Sequence, residues 1–313
     1  MNPIEESNRV VMQASHLTKS YKKGPPVLND LNLSVVSGQT VGLVGENGSG
    51  KSTLLKCLLG LLKPTSGSAR IADHDSWALP NEVKSELGYV PQVVKLIPWI
   101  SAQQMIEYAA CFYPHWDHTY TQQLISRWNI PEEKKVTELS SGQLQRLGII
   151  CALGHRPSLL ILDEPVASLD PVGRREFLRS LFDLAANQET TVLFSTHITS
   201  DLERVASHVA LLKAGQISVY EELGQLKERV KKLRLISSSE IPEIESFTGL
   251  IHAEVQGRSA ELIVDCFLAQ DLATLASRYQ AEVITEDLNL EEICIQLYGD
   301  SSSTPSAPLS ASV

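Results

Sequence analysis

The sequence predicts an α/β protein built around a parallel sheet, and three observations support this prediction. An apolar run at residues 41–44 leads into a glycine-rich loop, which is followed by a helix-like stretch at residues 54–59. Two later apolar runs, at residues 159–162 and 192–194, each end in polar side chains. Such runs are typical of strands buried on both faces, and parallel sheets place functional polar groups at the carboxyl ends of their strands.

Composition limits the class of protein. The 313 residues allow one large domain or two smaller ones, and 43% hydrophobic with 20% charged residues is ordinary for a soluble globular protein. No apolar run reaches the roughly 18–20 residues of a membrane-spanning helix, and the N-terminus lacks a secretory signal. We therefore expect a cytoplasmic protein. The five cysteines contain no C-x-x-C pair, which favours reduced thiols over disulfides or a zinc site.

Charge divides the chain into two parts. The net charge is −10, and residues 234–300 contain 3 basic and 13 acidic residues, which leaves 24 of the 27 basic and 24 of the 37 acidic residues elsewhere. This shift predicts a main domain at 10–220 and a small acidic accessory domain at 221–299, and it argues against nucleic acid as the partner of the acidic segment. We expect a flexible N-terminus at 1–9 and a disordered tail, rich in Ser, Pro and Ala, at 300–313.

The first part of the chain predicts three strands before the glycine-rich loop. Residues 10–17 are apolar enough for a strand, residues 27–35 alternate apolar and polar side chains, and residues 41–44 form the buried strand that precedes the loop. Tyr21 lies in the polar turn between the first two strands. Its ring either stacks on a bound base or is an ordinary exposed loop side chain, and the local sequence favours neither alternative.

The glycine-rich loop is the most clearly defined motif. It matches the pattern G-x-x-x-x-G-K-[ST] between a strand and a helix, which is the context that a phosphate-binding loop requires. Glycines allow backbone N–H groups to turn toward phosphates, and the helix N-terminus adds a partial positive charge. Lys51 is expected to neutralise the β- and γ-phosphates and Ser52 to bind Mg²⁺. The loop residues are Gly45, Glu46, Asn47, Gly48, Ser49, Gly50, Lys51, Ser52 and Thr53.

A helical region is predicted at about residues 93–157. Helical spacing occurs at 101–113 and 119–128, and the apolar loop at 96–100 is either buried or a docking surface. Ser140 opens a further helix, whose N-terminus is either a second site suited to anions or a routine cap. Gln92 ends a strand at 87–92, from which its amide could reach Mg²⁺ or a bound water, or simply lie on the surface.

Two adjacent carboxylates end the strand predicted at residues 158–165. Because consecutive strand residues point to opposite sides, Asp163 and Glu164 are expected to have different tasks, namely Mg²⁺ binding and general-base activation of water. A salt bridge at the strand end is the alternative. His197 ends the strand predicted at 190–197, where it could contact a γ-phosphate or serve as a cap or core histidine.

The last part of the chain predicts a small α+β extension without a catalytic constellation. It follows a helix at 198–206 and a hairpin at 208–220, and it begins with a charged amphipathic helix at 221–232. A hairpin is predicted at 250–265, and helices at about 269–279 and 287–298.

Taken together, these motifs resemble those of the ATPase subunits of ATP-binding cassette (ABC) transporters over about residues 10–220. The most specific element is the signature Leu-Ser-x-Gly-Gln followed by a basic residue, here at residues 139–146. Ser141 stands where the signature usually has glycine, and Val166 and Ala167 replace the more usual polar pair after Glu-Pro. Neither departure removes a catalytic group. The ordered set comprises Tyr21, residues 45–53, Gln92, residues 139–143, residues 159–164, residues 168–170 and His197.

The resemblance implies a P-loop NTPase fold with a RecA-like core, an antiparallel β subdomain and an inserted helical subdomain that carries the signature. It implies ATP and Mg²⁺ as cofactors. It also implies two identical or similar subunits that meet head to tail, so that Ser140, Gly142 and Gln143 contact the partner's ATP and Asp170 couples the two sites. The other implied roles are adenine stacking (Tyr21), phosphate binding (Lys51), organisation of Mg²⁺ (Ser52, Gln92 and Asp163), activation of the attacking water (Glu164) and contact with the γ-phosphate (His197).

The resemblance further implies a separate membrane permease that docks near Leu96, Ile97, Pro98 and Trp99, and a location on the cytoplasmic face of the membrane. The aromatic stretch at 112–117 and the C-terminal extension resemble bacterial exporter subunits of the multidrug or lantibiotic-resistance type. One competing hypothesis is a soluble cassette ATPase that acts on ribosomes or DNA, although such proteins usually have two cassettes or long coiled coils. The other is an unrelated P-loop kinase or GTPase, which would not explain the presence of the signature at residues 140–143.

Overall fold

The computed structural model describes residues 9–21, 24–186, 190–266 and 269–299. The chain forms two compact units, Met1–Leu223 and Gly224–Val313. Apart from Arg9, the flexible N-terminus predicted at 1–9 lies outside the described residues, as does the tail predicted at 300–313. No helix within the described ranges combines the length and the apolar character needed to cross a membrane.

The elements of the first unit alternate between strands and helices. Its strands are β1 (Val10–Lys19), β2 (Leu28–Val36), β3 (Thr40–Val44), β4 (Ser66–Ile71), β5 (His74–Asp75), β6 (Leu87–Val90), β7 (Leu159–Asp163), β8 (Thr191–Thr196), β9 (His208–Lys213) and β10 (Gln216–Glu222). Its α-helices are α1 (Lys51–Leu58), α2 (Asn81–Lys84), α3 (Ala102–Ala110), α4 (His118–Arg127), α5 (Ser141–Leu153), α6 (Pro171–Ala186) and α7 (Thr199–Val205).

Six strands form the central sheet of the first unit, in the order β10-β9-β3-β8-β7-β6. The pairs from β9 to β6 are parallel, and only β10, at one edge, is antiparallel to its neighbour. Every residue of β3, β7 and β8 is buried, as expected for strands that are covered on both faces. The α/β class predicted from the three apolar runs is therefore confirmed.

A second sheet, antiparallel and in the order β2-β1-β4-β5, packs over the first together with α1. One continuous apolar core joins side chains of β1, β2, β4 and α1 to one face of β3, β7, β8 and β9. Leu31 of β2, Leu54 of α1 and Leu43 of β3 are each completely buried in this core. Burial of large apolar side chains is the main favourable term in folding, so this core holds the α1 N-terminus rigidly at the sheet edge.

The helical region of the first unit lies between β6 and β7. α5 packs against both α3 and α4. Each of these helices begins at a polar residue whose side chain accepts a hydrogen bond from the backbone of the first turn, which satisfies an otherwise unpaired N–H group. The caps are Ser101 for α3, Asp117 for α4 and Ser140 for α5.

The second unit is built on an antiparallel sheet in the order β12-β13-β11-β14. α9 packs against β14, and Leu233, Leu262 and Leu275 belong to a separate apolar core. After α8 (Leu223–Arg229), which begins at the boundary, its elements are β11 (Val230–Ser237), β12 (Leu250–Gln256), β13 (Ser259–Asp265), α9 (Ala269–Tyr279), β14 (Ala281–Asp287) and α10 (Leu290–Gly299).

The predicted bounds of the helix at residues 221–232 are wrong at both ends. Strand β10 continues to Glu222, and the helix ends at Arg229 because the next residues enter the sheet. β11 pairs with β13 on one side and with β14 on the other. Its buried residues Leu233 and Leu235 follow the period of two that a strand requires. Strand β14, whose pairing with β11 is non-local, was not predicted at all.

Candidate functional site

The glycine-rich loop connects β3 to α1 and surrounds a lysine ammonium group. Gly50 has a φ of 110°, a conformation that side chains rarely adopt, and helix α1 begins at the next residue. Lys51 is only 5% exposed. Its Nζ donates hydrogen bonds to the backbone oxygens of Gly45 at 2.7 Å and Glu46 at 3.1 Å. The positive charge therefore lies inside the loop, where an anionic phosphate would be bound.

Asp163, at the carboxyl end of β7, receives two hydroxyl groups on one carboxylate oxygen. Ser52 Oγ donates to Asp163 Oδ1 at 3.0 Å, and Ser195 Oγ donates to the same atom at 2.8 Å. The Asp163 side chain is almost completely buried. Hydroxyl and carboxylate oxygens are the ligands that Mg²⁺ prefers, so Ser52 and Asp163 form a donor set that fits this cation.

Glu164 follows directly and has an unusual backbone. Its φ is 46°, in the left-handed region, and its N–H donates to Ser195 Oγ at 3.0 Å. This conformation accompanies a carboxylate with several partners. Glu164 Oε1 lies 3.7 Å from Lys51 Nζ, Oε2 lies 3.2 Å from His197 Nδ1, and the Gln92 amide donates to Oε2 at 3.5 Å. The side chain thus faces the loop lysine and two polar groups from neighbouring strand ends.

These side chains meet because their strands are neighbours. β3, β8, β7 and β6 are adjacent and parallel, so their carboxyl ends lie at one edge of the sheet. Lys51 follows β3, His197 follows β8, Asp163 ends β7 and Gln92 follows β6. Ligands of open α/β sheets bind outside this edge. The sequence prediction that these residues have a common site agrees with this placement.

Tyr21 lies beside the same loop but outside the ring of charged groups. Its hydroxyl is 3.4 Å from Thr53 Oγ1, and the residue is 51% exposed. Lys19 Nζ lies 5.4 Å from the centre of the ring. An exposed aromatic face at this position is available for stacking on a planar base.

The signature residues form a self-contained helix cap. Ser140 Oγ accepts a hydrogen bond from the Gln143 backbone at 3.2 Å, while Gln143 Oε1 accepts one from the Ser140 backbone at 3.0 Å. Ser140 is exposed. Among the interactions of the described residues, none joins Ser140, Gly142 or Gln143 to the loop at 45–53. The structure thus brings the loop, the acidic pair and His197 together in one chain, but not the signature.

Two residues that the sequence analysis did not select hold selected ones in place. Ser195 bonds to Asp163 and to the Glu164 backbone. The signal for it was available, because it belongs to the polar end of the strand predicted at 190–197. Arg146 donates to Asp170 Oδ1 at 2.9 Å. In the sequence, Arg146 is distinguished only as the basic residue that follows the signature.

A family model and similar proteins of known name both indicate the same family. A family model described as ABC transporter matches residues 28–167. The ABC transporter ATP-binding protein YtrB of Bacillus subtilis is 30% identical over 218 residues, which cover 70% of this chain and 74% of YtrB. The bacitracin transport ATP-binding protein BcrA of Bacillus licheniformis is 33% identical over 224 residues, covering 71% and 73%.

Solved structures show the same similarity. An ATP-binding subunit of an ABC transporter superposes with a TM-score of 0.63 at 25% identity, over 70% of this chain and 92% of the other. The cassette MJ0796, in a dimeric post-hydrolysis state bound to ADP and Pi, gives a TM-score of 0.60 at 27% identity, over 68% and 98%. Both similarities concern about the length of the first unit.

A phosphate loop facing an acidic strand end at the carboxyl edge of a parallel sheet defines a P-loop NTPase. The signature, the family model and the similar proteins identify one family within this class. The chain belongs to the ATP-binding proteins of ABC transporters. It is therefore an ATPase subunit with ATP as its cofactor, and proteins of this kind dimerise and pair with membrane permeases. The competing kinase or GTPase and ribosome or DNA hypotheses are not supported.

Proposed function

We propose that two copies of this chain, or one copy and a similar subunit, form a head-to-tail ATPase dimer that powers export through a separate permease. The single observation that carries this proposal is the exposed cap at Ser140. It is a helix N-terminus suited to anions, it holds the signature residues, and within the described residues no hydrogen bond or ion pair joins it to the loop of its own chain. A second chain would bring its loop to this cap, which makes each ATP site a shared one.

The residue roles follow from position and chemistry. Tyr21 stacks on adenine, and the backbone of residues 45–53 together with Lys51 binds the phosphates. Glu164 polarises the attacking water, because its carboxylate lies between Lys51 Nζ at 3.7 Å and His197 Nδ1 at 3.2 Å. His197 contacts the γ-phosphate. Ser140, Gly142 and Gln143 serve the ATP of the partner, and Asp170 couples the two sites.

Mg²⁺ is the metal that the acidic strand end would hold. Ser52 and Asp163 supply hard oxygen donors, and the Gln92 amide lies at the neighbouring strand end. The bound cation would neutralise charge on the phosphates. In the protein itself, Ser195 keeps the Asp163 carboxylate oriented toward Ser52 by donating to the same oxygen.

The permease is proposed to dock near residues 96–99. Trp99 is 73% exposed and Pro98 is also exposed, while Leu96 and Ile97 are partly buried. A large exposed aromatic side chain in an apolar loop is typical of an interaction site. Docking there places the chain on the cytoplasmic face of the membrane. The relative named for bacitracin transport supports a transport role, and no nucleic acid partner is proposed.

Mixing two inactive variants tests the shared site. Lys51→Ala removes the loop charge, and Ser140→Asp keeps a good helix cap but places a negative charge against the phosphates. Each variant alone is expected to be nearly inactive. In a mixture, a mixed dimer has one intact site, formed by the loop of the Ser140→Asp chain and the signature of the Lys51→Ala chain. Restored ATPase activity should reach at most about a quarter of wild type for random pairing of the two chains, which is the value for an intact site that works at full rate beside an inactive one.

Ser101→Asp is the matched control, because Ser101 caps α3 in the same manner as Ser140 caps α5 but has no role in the proposed site. It should retain wild-type hydrolysis, measured as phosphate release. A mixture of Lys51→Ala and Ser140→Asp that stays inactive, with both chains folded, would contradict the shared site.

A further inference from the structure

Arg146 connects three parts of the first unit. It lies on α5, in the helix that the signature opens, and its side chain is only 17% exposed. Its Nη2 donates to Asp170 Oδ1 at 2.9 Å, in the segment that follows β7. Its Nη1 donates to the backbone oxygen of Trp128, where α4 ends, at 3.3 Å. The guanidinium group has the fixed fork geometry that such a two-sided contact requires.

Asp170 has a second task that makes its position well defined. Its Oδ1 also accepts a hydrogen bond from the Gly173 N–H at 2.9 Å, so the carboxylate caps the first turn of α6. The segment between Glu164 and Asp170, called here the aspartate turn, is closed by backbone hydrogen bonds from Ala167 to Glu164 and from Leu169 to Val166. Asp170 and Glu164 are therefore joined by a short, hydrogen-bonded segment.

Gly173 permits the close approach of α5 to this turn. A Cβ at position 173 would lie 2.0 Å from Arg146 Nη2 and 2.6 Å from Asp170 Oδ1. Glycine within a helix is unfavourable by about 1 kcal/mol relative to alanine, so a packing requirement explains its presence here. At position 142 a Cβ would lie 3.4 Å from the Ser168 backbone oxygen. The start of α5, which carries the signature residues, therefore lies beside the aspartate turn of the same chain.

We propose that Arg146 is a positioning residue that joins the signature cap, formed by Ser140, Gly142 and Gln143, to the aspartate turn of the same chain. The inference rests on the proposed head-to-tail dimer. In that dimer the cap serves the ATP of the partner, whereas the aspartate turn begins at the Glu164 that serves the chain's own ATP. Arg146 therefore makes the geometry of one site depend on the geometry of the other, through a charged contact in which the arginine is largely buried and the aspartate is mostly exposed.

A double-mutant cycle on the full-length chain measures this connection. Asp170→Asn keeps the cap of α6 but removes the charge that faces Arg146, and Arg146→Gln removes the fork. Each change should lower kcat about tenfold and leave ATP affinity within about twofold, and the double variant should lose no more than either single one. Multiplicative losses in the double variant, or wild-type kcat in both single variants, would overturn the proposal.

Arg127→Gln is the matched control for general loosening of the helical region. Arg127 also links α4 to α6, by a hydrogen bond to Ser180 Oγ at 3.2 Å, but it does not contact the aspartate turn. It should keep kcat within about twofold of wild type. An equal loss of kcat in Arg127→Gln would mean that the effect is not specific to Arg146. If Arg146→Gln does not fold, Arg146→Lys, which retains one charge but not the fork, takes its place in the cycle.

The mixed dimer of Lys51→Ala and Ser140→Asp chains distinguishes a positioning role from a purely structural one, because its restored ATPase activity comes from a single site. Arg146→Gln can be added either to the chain that supplies the loop or to the chain that supplies the signature of the single restored site. The proposal expects a loss of about tenfold from either placement, because the residue joins both halves. A loss from one placement only would overturn it. If mixing restores no activity at all, the shared site itself fails, and this outcome is distinct from a restored site that ignores Arg146.

Discussion

Glu164 shows how strongly a single residue of this site depends on its surroundings. Its side chain is about nine-tenths buried, and it faces Lys51 Nζ at 3.7 Å and His197 Nδ1 at 3.2 Å. A buried carboxylate is costly unless such partners compensate for lost hydration. Its left-handed backbone adds strain of roughly 1–2 kcal/mol, and strained backbone is common at functional sites. Burial and strain together favour a catalytic over a purely structural role.

Glu164→Gln tests that role. The amide has nearly the same shape but cannot accept a proton, so hydrolysis should fall by about a hundredfold or more while ATP binding is retained. Because ATP is not turned over, an ATP-bound dimer should accumulate. Phosphate release, binding of a fluorescent ATP analogue and elution volume measure these effects. Glu107→Gln on the surface of α3 is the control, and rapid hydrolysis by Glu164→Gln would reject the general-base role.

At the residue scale, the sequence predicted most of the site. The phosphate-loop pattern identifies Lys51 and Ser52, and the acidic pair identifies Asp163 and Glu164. Each motif directly follows or ends a predicted strand in the sequence, so local pattern is sufficient to find it. Ser195 was not selected, since a serine near a strand end has many ordinary explanations. Ser195 matters because it donates a hydrogen bond to Asp163 on the neighbouring strand. Which strands are neighbours depends on the order of strands in the sheet, which the local sequence does not reveal.

At the scale of elements, a buried histidine just after the end of α5 links this region to the sheet. His155 Nε2 lies 3.1 Å from the Leu87 backbone oxygen at the start of β6, and its ring stacks on Tyr113 with centres 3.8 Å apart. Burial lowers the pKa of His155 to about 4, although the Leu87 oxygen and the Glu86 carboxylate partly oppose this shift. The imidazole is therefore neutral in the folded protein at neutral pH.

The lowered pKa of His155 predicts that the folded protein loses stability in mild acid. Because its folded-state pKa is below the unfolded value near 6.5, the unfolded chain binds the proton first, and stability falls as pH decreases from about 6.5 toward 4. The loss attributable to His155 between pH 7.5 and 5 should be at most about 2 kcal/mol. Urea unfolding at both pH values measures it.

His155→Gln should reduce the pH dependence of the unfolding free energy over this range, since it removes the group that takes up the proton. His115→Gln, in an exposed segment of the same region, is the matched control for the loss of one imidazole. Identical slopes in wild type and His155→Gln would show that other groups cause the acid sensitivity.

Elements with strong local signals were predicted well, and those that depend on distant partners were not. The strands that lead into the site and the helices α3, α4 and α5 follow from apolar spacing and caps. The helix predicted at 221–232 failed because β11 gains two ladders of backbone hydrogen bonds, to β13 and β14, that its own sequence does not reveal. Non-local pairing overrides local helical spacing in such cases.

At the scale of the whole molecule, the exposed apolar loop predicts how the ATPase meets its permease. Trp99→Ala should leave ATP hydrolysis in solution unchanged, because the side chain lies outside the site. It should reduce sedimentation of the purified chain with inverted membrane vesicles from the source cells by about tenfold, as expected when a central aromatic anchor is lost. ATPase assays and quantitative immunoblots of the pellets measure the two effects.

Trp77→Ala is the matched control, because Trp77 is also more than half exposed but lies in the segment after β5. Its sedimentation should equal that of wild type. If Trp99→Ala and wild type pellet equally, docking near Leu96 and Trp99 is rejected, while the assignment of the chain to its family is unaffected.

The sequence by itself determined the nucleotide loop, the acidic strand end, the signature and the family, because each is encoded by residues that are close together in the chain. Only the tertiary structure decided which of these meet. Parallel strand order brings Lys51, Gln92, Glu164 and His197 to one edge, whereas the signature cap stays apart and lies beside the aspartate turn. Side-chain contacts between distant segments depend on packing, so neither the Ser195 bond nor the Arg146–Asp170 pair could be predicted from local pattern.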